Sequence, residues 1–191
     1  MKFLVIDFLE AKFWFVILAG AFWIVYISWR IYRTPTIKQE WGVSMTGLKQ
    51  TFKVLLIPAL LIIIGSIWYG SISGVLIFNW HIIPVLLLYP FWGTIQQLLI
   101  ISLFGSNIYD HGNSKLGKPV IIGITAVLFS LVHYPSIALM AATFLLAIGY
   151  CYIFFRFRNI IALGIFHGWL ACVYYFFVLG RDPWMEFLGS I

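Results

Sequence analysis

Three otherwise apolar stretches of this chain each carry a polar element able to do chemistry. Gln96 and Gln97 stand side by side in Tyr89-Pro-Phe-Trp-Gly-Thr-Ile-Gln-Gln-Leu-Leu-Ile-Ile. His133 closes Phe129-Ser-Leu-Val-His, and His167 lies in Ile165-Phe-His-Gly-Trp-Leu-Ala. An imidazole can take up and release a proton near neutral pH; a carboxamide can orient water or substrate but is not a base. Either group is costly to bury in lipid without a partner. Adhesion between helices explains any one of them alone, because such side chains hydrogen-bond neighbouring spans. Two imidazoles and two amides on three uncharged segments favour a shared site, since intramembrane ionisable groups mark function by default. His81, beside Trp80, and His111, in Asp110-His-Gly-Asn, read as loop residues without an assigned role.

The elements that position these residues are membrane helices. Of the 191 residues, 63% are apolar and 9% charged, against roughly 25% charged in soluble domains. Charge-free runs cover residues 13–29, 54–109, 119–155 and 159–180. One span needs about 20 residues, so the outer runs hold one helix each and the middle runs two each. The expectation is an all-α membrane protein of about six transmembrane helices in a single domain over 1–191. The spans are placed at about 12–30, 52–70, 84–108, 119–134, 137–156 and 159–179. Met45, Leu48, Phe52 and Leu55 repeat at helical spacing beside Lys49 and Lys53, which suggests a segment lying along the interface before the second span. Asp7 and Glu10 spoil a basic leader, so the first run reads as retained. Cys151 and Cys172 fall within spans and read as packing residues.

Positive charge alternates between the connections. Arg30, Arg33, Lys38, Lys49, Lys53, Lys115, Lys118, Arg156 and Arg158 fall on one side, and Lys2, Lys12 and Arg181 on the other. The positive-inside rule makes the first side cytoplasmic and puts both termini outside. Because these charges cluster at span ends, the formal net charge of +6 reflects topology, and no nucleic-acid partner is expected. Membrane lipids are the expected surroundings. Counted from the cytoplasmic helix ends, Gln97, His133 and His167 lie at similar depths. They can therefore line one cavity reached from the cytoplasmic side.

These motifs resemble those of the CPBP family, the CAAX-protease-like and bacteriocin-immunity membrane proteins. That family carries Glu-Glu-x-x-x-Arg, Phe-x-x-x-His and His-x-x-x-Asn on separate helices. Phe129 and His133 match the second motif, and His167 opens the third. The resemblance covers about 46–179. Gln96-Gln97 replaces the glutamate pair, Ile101 the arginine and Ala171 the asparagine. With both carboxylates gone, an arginine at position 101 would be an unpaired membrane cation, so the substitutions are mutually consistent. The acidic residues Asp7, Glu10, Glu40, Asp110, Asp182 and Glu186 all lie at or beyond span ends.

The resemblance implies a CPBP-like bundle in a bacterial or archaeal cytoplasmic membrane. It also implies a site in which His133 is base or water-positioner, Gln96 and Gln97 orient water or substrate, and His167 donates to an oxyanion. Phe129 is expected to contact substrate. Two histidines with two amides make a poor zinc set, so neither metal nor cofactor is expected. Two functions stay open: a divergent peptidase or hydrolase acting on a lipidated or hydrophobic membrane substrate, and an inactive relative that holds a membrane protein or lipid in the same cavity. A proton- or ion-coupled transporter is a weaker third, because the interior lacks carboxylates.

Overall fold

The computed structural model describes residues 12–111 and 116–189. Lys2, Asp7, Glu10 and Lys115, which entered the charge reading, lie outside the described residues, as do the side chains of Lys12 and His111. The described helices are α1 (Lys12–Arg33), α2 (Ile37–Glu40), α3 (Leu48–Ser73), α4 (Ile82–Gln97), α5 (Asn107–His111), α6 (Lys118–Leu131), α7 (Ile137–Phe157), α8 (Ile160–Phe177) and α9 (Pro183–Leu188). A π-helical segment, Leu98–Ser106, joins α4 to α5 in one rod, Ile82–Asp110. No strand occurs among the described residues.

Among the described residues, five helices are long and apolar enough to cross a membrane, which makes this an integral, multi-pass α-helical bundle. The sixth apolar helix, α6, is too short to cross alone, and the turn 132–136 completes the crossing from Lys118, beside Tyr152 at the basic end, to Ala138, beside Tyr174 at the other. The 14 residues of α6 rise about 21 Å, against a hydrocarbon core of about 30 Å. The span expected to run to 134 stops at Leu131, because Pro135 disfavours helical backbone at the residue before it. His133 therefore sits in the turn 132–136, where its backbone N–H donates to Ser130 O at 2.9 Å. The interfacial segment expected around Leu48 is instead the first turns of α3. Phe52 packs edge-on against Phe166 of α8 at 5.0 Å, and Thr51 and Leu55 are buried, so this part of the stripe meets protein, while Met45 is exposed.

Polar ties define the two ends of the bundle. At the basic end, Asn159 caps α8 by accepting from Ala162 N, and its amide donates to Ser44 O and Thr46 O. Arg158 donates to Ser106 and to both carboxylate oxygens of Asp110. At the opposite end, Tyr174 OH donates to Ala138 O. There His81 Nδ1 and Asn79 Nδ2 both reach Asp182 Oδ2, at 2.6 and 3.0 Å. Helix α8 forms the spine: Leu163, Phe166 and Leu170 share a buried cluster with Leu98, Ile101, Tyr150 and Phe154. Helix α1 is peripheral, with Gly20 its one buried residue among the described side chains.

Candidate active site

Three glycines set the seam between α4 and α8. A Cβ on Gly93 would stand 2.6 Å from Gly164 O and 3.0 Å from His167 Cδ2, and one on Gly168 would collide with the backbone of Tyr89 and Pro90. The spacing Gly164-x-x-x-Gly168 thus lets the two backbones touch, as small residues do between membrane helices. The approach brings a polar pair together: His167 Nε2–H donates to Gln96 Oε1 at 3.0 Å. With Nε2 protonated, Nδ1 is the acceptor nitrogen of the neutral His167 ring; it is buried and meets no hydrogen-bond partner.

His133 is fixed by the helix that precedes it. Its Nδ1 lies 2.8 Å from Phe129 O. A carbonyl can only accept, so Nδ1 carries the proton and Nε2 is the basic nitrogen of the neutral ring. The Phe129 ring spans the two histidines, with centroids 5.0 Å from His133 and 5.5 Å from His167. The short α6 therefore ends where its last aromatic and the following turn reach α8.

Gln96, His133 and His167 line one cavity of about 1740 Å³. Its walls are largely apolar, built from α1, α3, α4, α7 and α8 and from the turn 132–136. Residues of 181–189, including Arg181, Trp184 and Glu186, close its rim. Gln97 is placed differently. It is 0% exposed, outside the lining, and neither atom of its amide has a partner. Phe129, expected to touch substrate, is 1% exposed and shapes the site from behind the histidines. Ile101 is fully buried, and Ala171 lines the cavity.

The π-helical segment begins immediately after Gln97, and such segments recur at functional sites. It carries Leu98, Ile101, Ser102, Gly105 and Ser106 in buried positions. Neither this departure from α-helix nor the cavity's use of Tyr150 is foreseen by reading polar residues in spans. The seam is not foreseen either, although the spacing Gly164-x-x-x-Gly168 is a sequence signal for it. As for a metal, no group of three His, Cys, Asp or Glu side chains converges among the described residues. Gln96, His133 and His167 supply two imidazoles and one amide, and the carboxylate that lines the cavity, Glu186, is paired with Arg181.

Neither curated proteins nor solved structures show a similar chain. A family model described as type II CAAX prenyl endopeptidase Rce1-like matches residues 106–173, which include Phe129, His133, His167 and Ala171 and begin after the glutamine pair. Over that segment, about a third of the chain, the sequence is similar to the CAAX-protease-like membrane proteins.

Proposed function

We propose that this protein is a divergent intramembrane hydrolase that cleaves the bond between an acyl carbon and its heteroatom in a lipidated or hydrophobic membrane substrate, with His133 as its base. The supporting observation is the tautomer of His133, whose Nδ1 proton is held by Phe129 O at 2.8 Å inside the cavity shared with Gln96 and His167. Nε2 of His133 takes a proton from water as the water oxygen bonds to the substrate carbonyl carbon. The same proton passes to the leaving group when the carbon–heteroatom bond breaks. Gln96 does not compete for the proton, since an amide is no base; its carbonyl holds His167 in place. His167 then offers its Nε2–H to developing charge only by leaving Gln96, so it is a partly committed donor. Gln97 supports the packing around Gln96 from outside the cavity.

Substrate entry is read from the walls. Helix α1 contributes Phe15, Val16, Gly20 and Ile24 to the lining while remaining largely exposed on its other faces. This supports entry from within the bilayer. The sequence puts the opening on the cytoplasmic side. The lining by 132–136 and 181–189 supports the opposite end, away from Arg156 and Arg158. With the basic end in the cytoplasm, both termini and the α9 rim lie outside.

A second reading has its own support: the neutral Gln96–His167 pair, an amide standing where the resemblance sets a carboxylate, suits a pseudoprotease that retains a lipid or membrane protein. Purified wild type and His133→Ala in liposomes, offered prenylated and unmodified peptides, separate the two. Turnover by wild type that is lost in His133→Ala supports the hydrolase. Turnover that survives unchanged removes His133 as base, and no turnover in wild type favours the binder.

A further inference from the structure

We infer that Tyr150 is the carbonyl-binding residue of the cavity, its phenolic O–H donating to the carbonyl oxygen of an acyl or peptidyl ligand. The inference rests on the reading of the cavity as a substrate site and names the ligand group recognised there. Tyr150 is 3% exposed, lines the cavity with Gln96, His133 and His167, and has a buried hydroxyl without a partner. A buried tyrosine O–H is normally hydrogen-bonded, and leaving one unsatisfied costs about 1–3 kcal/mol. The position also matches. Tyr150 lies two turns from the C-terminal end of α7 and His167 two turns from the N-terminal end of α8, the two ends being joined by a short corner. Tyr150 shares its packing cluster with Phe166, the residue before His167.

The chemistry supplies the reason for such a donor. Developing negative charge on a carbonyl oxygen needs a preorganised hydrogen-bond donor. Ala171 offers none, and the Nε2 proton of His167 is held by Gln96. The remaining buried ring of Tyr150 is rigid and packed, so its hydroxyl can be presented with little loss of side-chain freedom. It donates one hydrogen bond and moves no proton.

Tyr150→Phe removes the hydroxyl and keeps the ring. The full-length protein in nanodiscs is labelled with two photoreactive probes of equal chain length, a diazirine-bearing palmitate methyl ester and the corresponding hydrocarbon. Wild type is expected to reach half-saturation with the ester at about tenfold lower concentration, the size of one buried hydrogen bond. Tyr150→Phe is expected to lose that preference while labelling with the hydrocarbon stays the same. A carbon-13 ester carbonyl gives a second readout: its infrared stretch should move to lower frequency in wild type and not in Tyr150→Phe. An ester preference and carbonyl shift that persist in Tyr150→Phe would overturn the assignment, as would a wild type indifferent to the ester. Turnover is measured separately on the same samples. A wild type that prefers ester without hydrolysing anything keeps Tyr150 and sinks the hydrolase.

Discussion

Gln96 Oε1 accepts the Nε2 proton of His167 at 3.0 Å, across a helix seam in which Gly93, Gly164 and Gly168 leave no room for a side chain. The pair exists because the glycines let α4 and α8 meet. Gly168→Val would push against the backbone of Tyr89 and Pro90, and overpacking of this kind typically costs about 1–3 kcal/mol. Thermal unfolding in detergent should show a clear fall for Gly168→Val and a smaller one for Gly123→Val, since a Cβ at Gly123 meets nothing within 4 Å. Equal melting temperatures would mean that the seam does not depend on close approach.

The sequence makes part of this site legible and hides the rest for physical reasons. Gln96, His133 and His167 stand out because polar groups in charge-free runs are costly unless they meet partners. The same logic fails to separate Gln96 from Gln97. Adjacent residues on a helix point about 100° apart, and only packing decides which faces the cavity. Tyr150 is hidden because an aromatic in a span reads as core or interfacial belt until its hydroxyl is seen without a partner. The early end of α6 follows from Pro135, whose effect on the preceding residues was legible but competed with a long apolar run. The α9 helix is not among the expected elements; its signal is Asp182-Pro183, a capping residue followed by proline at the first helical position.

Arg158 gives a test at the basic end. It has φ +49°, a left-handed conformation that costs a non-glycine residue about 1–2 kcal/mol. Its bidentate pairing with Asp110 is about one-third exposed, so solvent limits that pair to at most about 1 kcal/mol. Arg158→Ala loses the pair and keeps the strain, whereas Arg158→Gly loses the pair and relieves it. Denaturation should therefore find the glycine variant more stable than the alanine variant by about 1 kcal/mol. The reverse order would show that the conformation is not strained.

Asp182 ties the α9 corner to the start of α4 and should make it sensitive to acid. Burial pushes its carboxyl up, but hydrogen bonds from His81, Asn79 and Met185 N outweigh this and hold it below the ordinary value of 3.8. A depressed carboxyl contributes stability above its unfolded pKa and loses it as pH falls through the folded one. Trp184 emission should therefore stay constant down to about pH 4 and shift below it. In Asp182→Asn the shifted spectrum should be present at neutral pH, with the acid step gone. An acid step retained in Asp182→Asn would assign the transition to another group.

Topology is open to direct labelling. In a background with Cys151 and Cys172 replaced by alanine, cysteines at Leu116 and at the exposed Met185 report on opposite ends of the bundle. The basic end should be protected from an impermeant maleimide in intact cells and the α9 end labelled. Labelling of both positions from outside would contradict an odd number of crossings between them.

The most direct measurement is single-turnover hydrolysis of a prenylated peptide in liposomes by wild type, Gln96→Glu and Gln96→Glu combined with His133→Ala. If the cavity keeps proton-transfer geometry around the basic nitrogen of His133, a carboxylate at position 96 should raise the rate by on the order of 10²-fold. Removal of His133 should return it to background. A Gln96→Glu variant no faster than wild type, or a double variant as fast as the single one, would contradict the role given to His133.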